Sequence, residues 1–585
     1  MATEKGAVEM VEVSAMQANK HGDTALALLG NERVSLTEED NKRIRRKTDR
    51  TILVILVWVY FLQILDKTVL GYGATFGLRE ATHLTGNQYS LVGSIAPIAQ
   101  LAWQPFSSYL IVKVPHRILM PCLCLGWGIA QSAMAACGSF GDLLAARFFL
   151  GLFEGGCLPL FSIITSQWYR RSEQPLRVAA WYGTNGLATM VASALSYGLG
   201  HIPSDRLESW QIIFLFVGLV TIGQVFRENA SLSSQYANVR ADAATLDPCW
   251  RANDDIFPEG KYRKPLANPN DLVVSAPFVY WKLDDDIPSA RFLSAEDKPK
   301  AVERLRANQT GTGSREFKMG HILELVLEPK TYLWLALSML LNVGAAVTNT
   351  FGPLIIGGLG FDKYTASLLN IPFGCLQFIV ILWSSWMAKR FRIKSVVLFC
   401  IVLPVIAGLA MLYTISHTKA HEGALLGGYY LLAFLFGGNP LIVAWIVGNT
   451  AGTTKKSVVM SAYNAASSAG NIVGPLLFNS ADAPTYHPGL KGVLGIFVAL
   501  AACTILQAAN LLFLNKLQER KRVKNGKSAK LVDHSMEDKY HDADEQLDEV
   551  VGAADGAPPA HRERLGEHAF EDLTDRQNDE FVYIY

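Results

Sequence analysis

Apolar runs of roughly 20 residues, the length of helix that crosses about 30 Å of hydrocarbon, recur along this chain. They fall near 51–72, 88–112, 118–137, 142–165 and 178–200, and a sixth begins at Trp210. After a polar middle, further runs lie near 330–356, 365–388, 395–415, 424–448, 458–479 and 491–514. The pattern predicts an all-α integral membrane protein of twelve transmembrane helices in two six-helix halves. The first 40 residues hold no short apolar core with a cleavage site, so the first span is expected to act as its own insertion signal.

The sixth span breaks the pattern. WQIIFLFVGLVTIG is too short to cross and runs into a long polar stretch, after which a second apolar fragment, VVSAPFVYWKL, appears. Joining residue 223 or 224 to about Ser275 restores a run of roughly 20 residues ending in Trp281 and Lys282, a normal interfacial anchor. Residues 224–275 therefore read as an insertion into the sixth helix, most simply a retained intron. The alternative is a cytosolic loop between a half-helix and an interfacial segment, because polar backbone is not tolerated at mid-bilayer depth. This divides the chain into an N-terminal half over 46–223, the insertion, the end of the sixth helix with a central cytosolic loop over 276–328, and a C-terminal half over 329–515. Residues 1–45 and 516–585 are charged and poor in aliphatics, and are expected to be disordered.

Composition agrees with the class: 50% of residues are hydrophobic and 18% charged, too apolar a balance for a soluble chain of 585 residues. A net charge of +1 gives no reason to expect a nucleic-acid partner. Position matters more than the sum. KRIRRKTDR, Lys113 with Arg117, Arg170 with Arg171 and Arg177, AKRFRIK, Lys455 with Lys456 and NKLQERKRVK occupy alternate loops. That bias places those loops and both termini in the cytosol. The eight cysteines fall mostly within apolar segments without metal-site spacing and read as packing residues. No phosphate-cradling glycine loop, metal-ligand cluster or nucleophile with its base can be named, so neither an enzyme nor a cofactor is expected.

Charge at bilayer depth is the informative chemistry. Arg147 and Glu154 lie seven residues, about two turns, apart on one face of the fourth run. Each charge there costs roughly 2.5–3.5 kcal/mol even on the lenient insertion scale, so such residues usually line a water-filled cavity and serve transport. A buried ion pair that only holds helices together is the alternative. Asp66 and Lys67 near the outer end of the first span point in different directions on a helix, and each needs its own partner. Asp66 is a candidate for coupling or gating; the alternative is that both residues sit at the outer interface, with the Lys67 stem snorkelling. Gln100, Gln104, Asn185, Asn342, Asn349 and Asn464 are candidate contacts for a substrate amide, with Asn370, Asn439 and Asn471 behind them; interhelical hydrogen bonding is the competing role. Tyr182, Trp181 and Trp445 are a candidate lining wall. Gly151, Gly155 and Gly156 suggest close helix approach, with Pro159 loosening the helix above.

Four stretches carry a family resemblance: FLQILDKTVLGYG in the first span, RFFLGLFEGGCLPL in the fourth, PSARFL with AVERLRANQTGTGSREFK in the central loop, and FGPLIIGGLGF closing the seventh. Over about 45–520 the chain resembles the fungal allantoate permease branch of the anion:cation symporter family, within the major facilitator superfamily. The resemblance implies proton-coupled uptake of a small organic anion across the plasma membrane; members are associated with allantoate, ureidosuccinate, nicotinate, pantothenate, biotin and small peptides. The loop LIVKVPHRILM lacks the glycine- and aspartate-containing signature common in the wider superfamily. The fourth-span pair is also similar to that of lysosomal and vesicular organic-anion members, which implies Arg147 as the substrate-carboxylate partner and Glu154 as the proton-coupling group. A transporter-like sensor acting through the tail is the alternative function.

Overall fold

The computed structural model describes residues 34–85, 88–199, 207–221, 276–311, 313–358, 363–416, 421–477, 487–529, 531, 534–537 and 567–585. Within them, every predicted apolar run coincides with helix. Helix α1 (Glu38–Thr48) leads through a π-helical turn into α2 (Val54–Thr75), followed by α3 (Gln88–Lys113), α4 (His116–Met134), α5 (Phe140–Glu154), α6 (Cys157–Trp168), α7 (Gln174–Tyr182), α8 (Thr184–Leu199) and α9 (Ser209–Thr221). The middle contributes α10 (Ala276–Lys282), α11 (Asp297–Glu303) and α12 (Met319–Leu327). The second half contains α13 (Pro329–Gly358), α14 (Lys363–Phe391), α15 (Lys394–Thr414), α16 (Glu422–Leu431), α17 (Gly438–Gly448), α18 (Thr453–Leu476) and α19 (His487–Lys524).

Among the described residues, six helical stretches are long and apolar enough to cross a membrane on composition alone. The helices that fall short, such as α3 and α18, carry Ser, Gln and Asn because they face the interior. There α3 packs on α18 and α8 on α14, joining the halves. The closest approach uses glycine on both sides: a side chain at Gly186 would strike the backbone of Gly374 and Phe378. A single continuous apolar core runs through both halves and includes Trp127, Trp168 and Trp181 in the first and Trp334 and Trp445 in the second.

The fourth and fifth runs are each broken into two helices. At the first break Pro159 has no N–H to give the carbonyl four residues back, so the Gly155 oxygen is released from the helical ladder. Gln104 Nε2 at 2.9 Å and Asn464 Nδ2 at 2.8 Å donate to it instead. Asn464 belongs to the second half, so this one carbonyl ties the two halves together.

The fragments of the sixth span lie against the two ends of one helix. Gln211 Nε2 of α9 donates to the Ala135 carbonyl beyond the end of α4, and Gly218 abuts Ser132. At the other end Arg117 Nε donates 2.7 Å to the Tyr280 carbonyl of α10, and the Arg117 amide to Asp285. The insertion expected over 224–275 lies outside the described residues.

Parts of both segments expected to be disordered are ordered among the described residues. Residues 38–45 form most of α1: Thr37 Oγ1 accepts from the Asp40 amide, acidic residues occupy the first turn and basic ones the last. Arg43 and Lys47 hold the buried Asp297 of α11 at 2.7 and 2.8 Å, and Arg304 bridges Asn41 and Glu173. Beyond residue 515, α19 continues to Lys524, and residues 567–585 pack against the face that bears the start of α2 and the end of α19, called here the terminal face. Phe570, Phe581 and Tyr583 are buried there, apolar anchors that a count of charges overlooks.

Candidate functional site

Between the halves lies a cavity of about 170 Å³. The first half lines it with Tyr60, Gln63 and Lys67 of α2, Gly93, Pro97 and Gln100 of α3, Arg147 and Glu154 of α5, and Tyr182 and Asn185 at the α7–α8 break. The second half contributes Asn342 of α13, Asn439 of α17, and Asn464 and Asn471 of α18.

Glycine brings the charged helix close to α3: a side chain at Gly151 would strike the backbone of Ala96, and one at Gly155 would sit 3.2 Å from Gln100 Cα. That proximity lets Gln100 Nε2 donate 3.0 Å to Glu154 Oε2. Glu154, only 1% exposed, is paired with Lys67 Nζ at 3.8 Å rather than with Arg147. The alternative that placed Asp66 and Lys67 together at the outer interface does not describe them, since Asp66 is buried and Lys67 lines the cavity. The Lys67 side chain, 43% exposed, reaches into the cavity because the buried carboxylate one helix away draws it there. Arg147 is 5% exposed, and its Nε and Nη1 have no protein partner. Asp66, on the other side of α2, is fully buried outside the cavity lining, with the Trp127 indole as its neighbouring donor.

The candidate amides separate into two groups. Asn185 donates to Tyr60 Oη and the Tyr182 carbonyl, and Asn342 to the Ser338 carbonyl and Asn439 Oδ1, which also accepts 2.7 Å from Tyr463 Oη. These stand in the cavity wall, anchored by one end of the side chain. Gln104 is buried outside the lining and spends its amide on the Gln100 and Gly155 carbonyls. Asn370 accepts from Tyr429, Trp181 stacks behind Tyr182 at 4.4 Å, and Trp445 lies at the terminal face donating to the Ile584 carbonyl, so none of the three reaches the cavity. The side chain of Asn349 lies outside the described residues. Tyr60 and Tyr463 are lining or supporting groups that sequence reasoning missed; Tyr60 sits in an apolar run where a phenol reads as one more hydrophobe.

On the terminal-face side of the cavity the halves touch. Ser457 Oγ donates 2.9 Å to the Ser108 carbonyl, and Lys456 Nζ 3.4 Å to Ser166 Oγ.

The family model of the Major Facilitator Superfamily matches residues 56–252 and 271–475. The chain belongs to that superfamily. An uncharacterized transporter of Schizosaccharomyces pombe is 30% identical over 505 residues, covering 86% of this chain and 85% of that protein. The Thiamine pathway transporter THI73 of Saccharomyces cerevisiae is 28% identical, covering 94% and 87%, and the allantoate permease of the same yeast 24% identical, covering 94% and 88%. Among solved structures, the human organic anion transporter MFSD10 superposes with a TM-score of 0.51 at 14% identity, covering 77% of this chain and 98% of that one. The proton:xylose symporter XylE superposes with 0.53 at 11% identity, covering 79% and 94%; both show the fold. This facilitator-superfamily protein is thus a multi-pass, all-α transporter of small solutes.

Proposed function

We propose that the chain is a proton-coupled importer of a small organic anion, of the allantoate permease branch, in the plasma membrane with the terminal face in the cytosol. The observation that carries the reading is the Arg147 guanidinium, buried beside the cavity with two nitrogens lacking a protein partner. A buried cation without an acceptor is costly, and a substrate carboxylate entering the cavity is the kind of acceptor a guanidinium binds strongly. Glu154, held by Lys67 and Gln100, is the proton-coupling group: a proton on its carboxyl cancels the attraction to Lys67 and frees that ammonium for the anion. Asp66, a carboxyl fully buried on the other side of α2, is the second candidate for carrying a proton. Asn185, Asn342 and Asn464 supply amides for the rest of the substrate, while Gln104 is a support.

The test is uptake of labelled allantoate, ureidosuccinate, nicotinate and pantothenate at pH 5 and pH 7 in a yeast host lacking its own carriers. Glu154→Gln is expected to abolish pH-driven accumulation and to retain exchange. Arg147→Lys should lose uptake, because an ammonium cannot offer the fork. Persistent pH-driven accumulation by Glu154→Gln overturns the coupling assignment.

A further inference from the structure

Residues 567–585 bind the terminal face as a ligand binds a site. Their acidic side chains meet cations and backbone N–H groups: Asp575, fully buried, is ion-paired with Lys330 and with Lys455 at 3.0 Å, and Asp572 accepts 2.7 Å from the Thr453 amide and pairs with Lys318 at 2.9 Å. Two asparagines read its backbone in both directions. Asn449 accepts from the Ile584 amide at 2.6 Å and donates to the Ile584 carbonyl at 2.8 Å, and Asn515 does the same with Tyr583 at 2.8 Å each way. Its aromatic rings meet cations of the first half and the central loop: the Arg171 guanidinium lies 4.4 Å over Phe581 while Nη1 donates to the Val582 carbonyl, and Arg306 lies 5.0 Å over Phe570.

We propose that the terminal face is a peptide-binding site, taking an acidic segment with aromatic anchors, and that its occupancy by residues 567–585 holds the two halves together on that face. The inference rests on the carrier moving its halves apart to open the cavity there. Arg171 belongs to the first half and Asn449 and Lys455 to the second, so a segment bonded to all three must let go of one side before the Ser108–Ser457 contact beneath can open. pH does not release it. Burial pushes the Asp575 carboxyl up, but Lys330 and Lys455 outweigh that and hold it well below the usual carboxylate range. Lys455 in turn, despite burial, is held above the usual lysine range by Asp575, Glu328 and Glu324. A depressed carboxylate contributes above its unfolded value and is lost only as pH falls through the folded one, so the contact persists across cellular pH.

The test needs no substrate. Ser457→Cys, buried in the closed face, is placed in the full chain, in a chain lacking 567–585 and in a full chain bearing Asp575→Asn. Maleimide labelling of residue 457 is followed by peptide mass mapping, which separates it from the native cysteines. Labelling is expected to be at least about tenfold faster in both altered chains, because removing one partner of a buried ion pair is strongly destabilising, and a synthetic 567–585 peptide at about 1 mM should restore protection to the shortened chain. Equal labelling rates in all three overturn the proposal. Asp575→Asn keeps the whole chain and nearly the same shape, so it decides alone if the shortened chain aggregates. Because no solute is used, failure here is distinct from failure of the anion assignment.

Discussion

At the scale of single residues, the site depends on contacts too close to admit a methyl group. Gly151→Val forces a branched side chain into the Ala96 backbone; overpacking of this kind costs about 1–3 kcal/mol, and here the neighbour cannot rotate away. The expected outcome is a lower thermal midpoint by scanning fluorimetry, with Gly151→Ala intermediate. Arg147 and Glu154 were legible in the sequence because a charge inside an apolar run violates the solvent preference of the whole segment. Their partners were not. Lys67 follows an aspartate, and nothing local says that it turns toward Glu154 of another helix. Gln104 looked like a ligand contact because its real partner, the Gly155 carbonyl, becomes available only through the missing N–H of Pro159. Asn464 shares that carbonyl from the other half, a pairing with no local signature.

At the scale of elements, periodic apolar runs were enough to place the helices, since length and solvent preference act locally; the breaks within runs and the docked ends were not, since they depend on distant partners. Helix α1 is an example. Its charged sequence suggested disorder, yet Asp297, far along the chain, supplies the acceptor for Arg43 and Lys47. Burial pushes the Asp297 carboxyl up, but the hydrogen bonds from Lys47 and Arg43 prevail and hold it down at about 2. Its contribution is therefore complete above the ordinary aspartate value and is lost as pH falls through about 2. A spin label at Lys42 is expected to stay immobile from pH 7 to about 4 and to loosen only below that, whereas Asp297→Ala should mobilise it at pH 7. The sixth span gives a second case. Fragments α9 and α10 meet opposite ends of α4, the arrangement expected of one helix in two pieces. Removing residues 224–275 should leave a monodisperse chain whose thermal midpoint is no lower; aggregation of that variant would count against an insertion.

At the scale of the molecule, the halves form a carrier closed on the terminal face around a cavity whose cation lacks an acceptor, and the sequence revealed the halves but not the closure. Charge counting marks 516–585 as a solvated tail because its aromatic anchors are few and gathered in the last residues, where a long charged stretch outweighs them. The shared carbonyl at Gly155 has a further consequence for motion. In the transport cycle proposed above, parting of the halves withdraws Asn464, but the oxygen keeps the donor from Gln104, which stays within its own half. The molecule then gives up one interhelical hydrogen bond, about 0.6 kcal/mol on average in a membrane protein, rather than stranding a bare acceptor in the protein interior at about 1–3 kcal/mol. A spare donor at the centre of the contact would lower the barrier to such a motion.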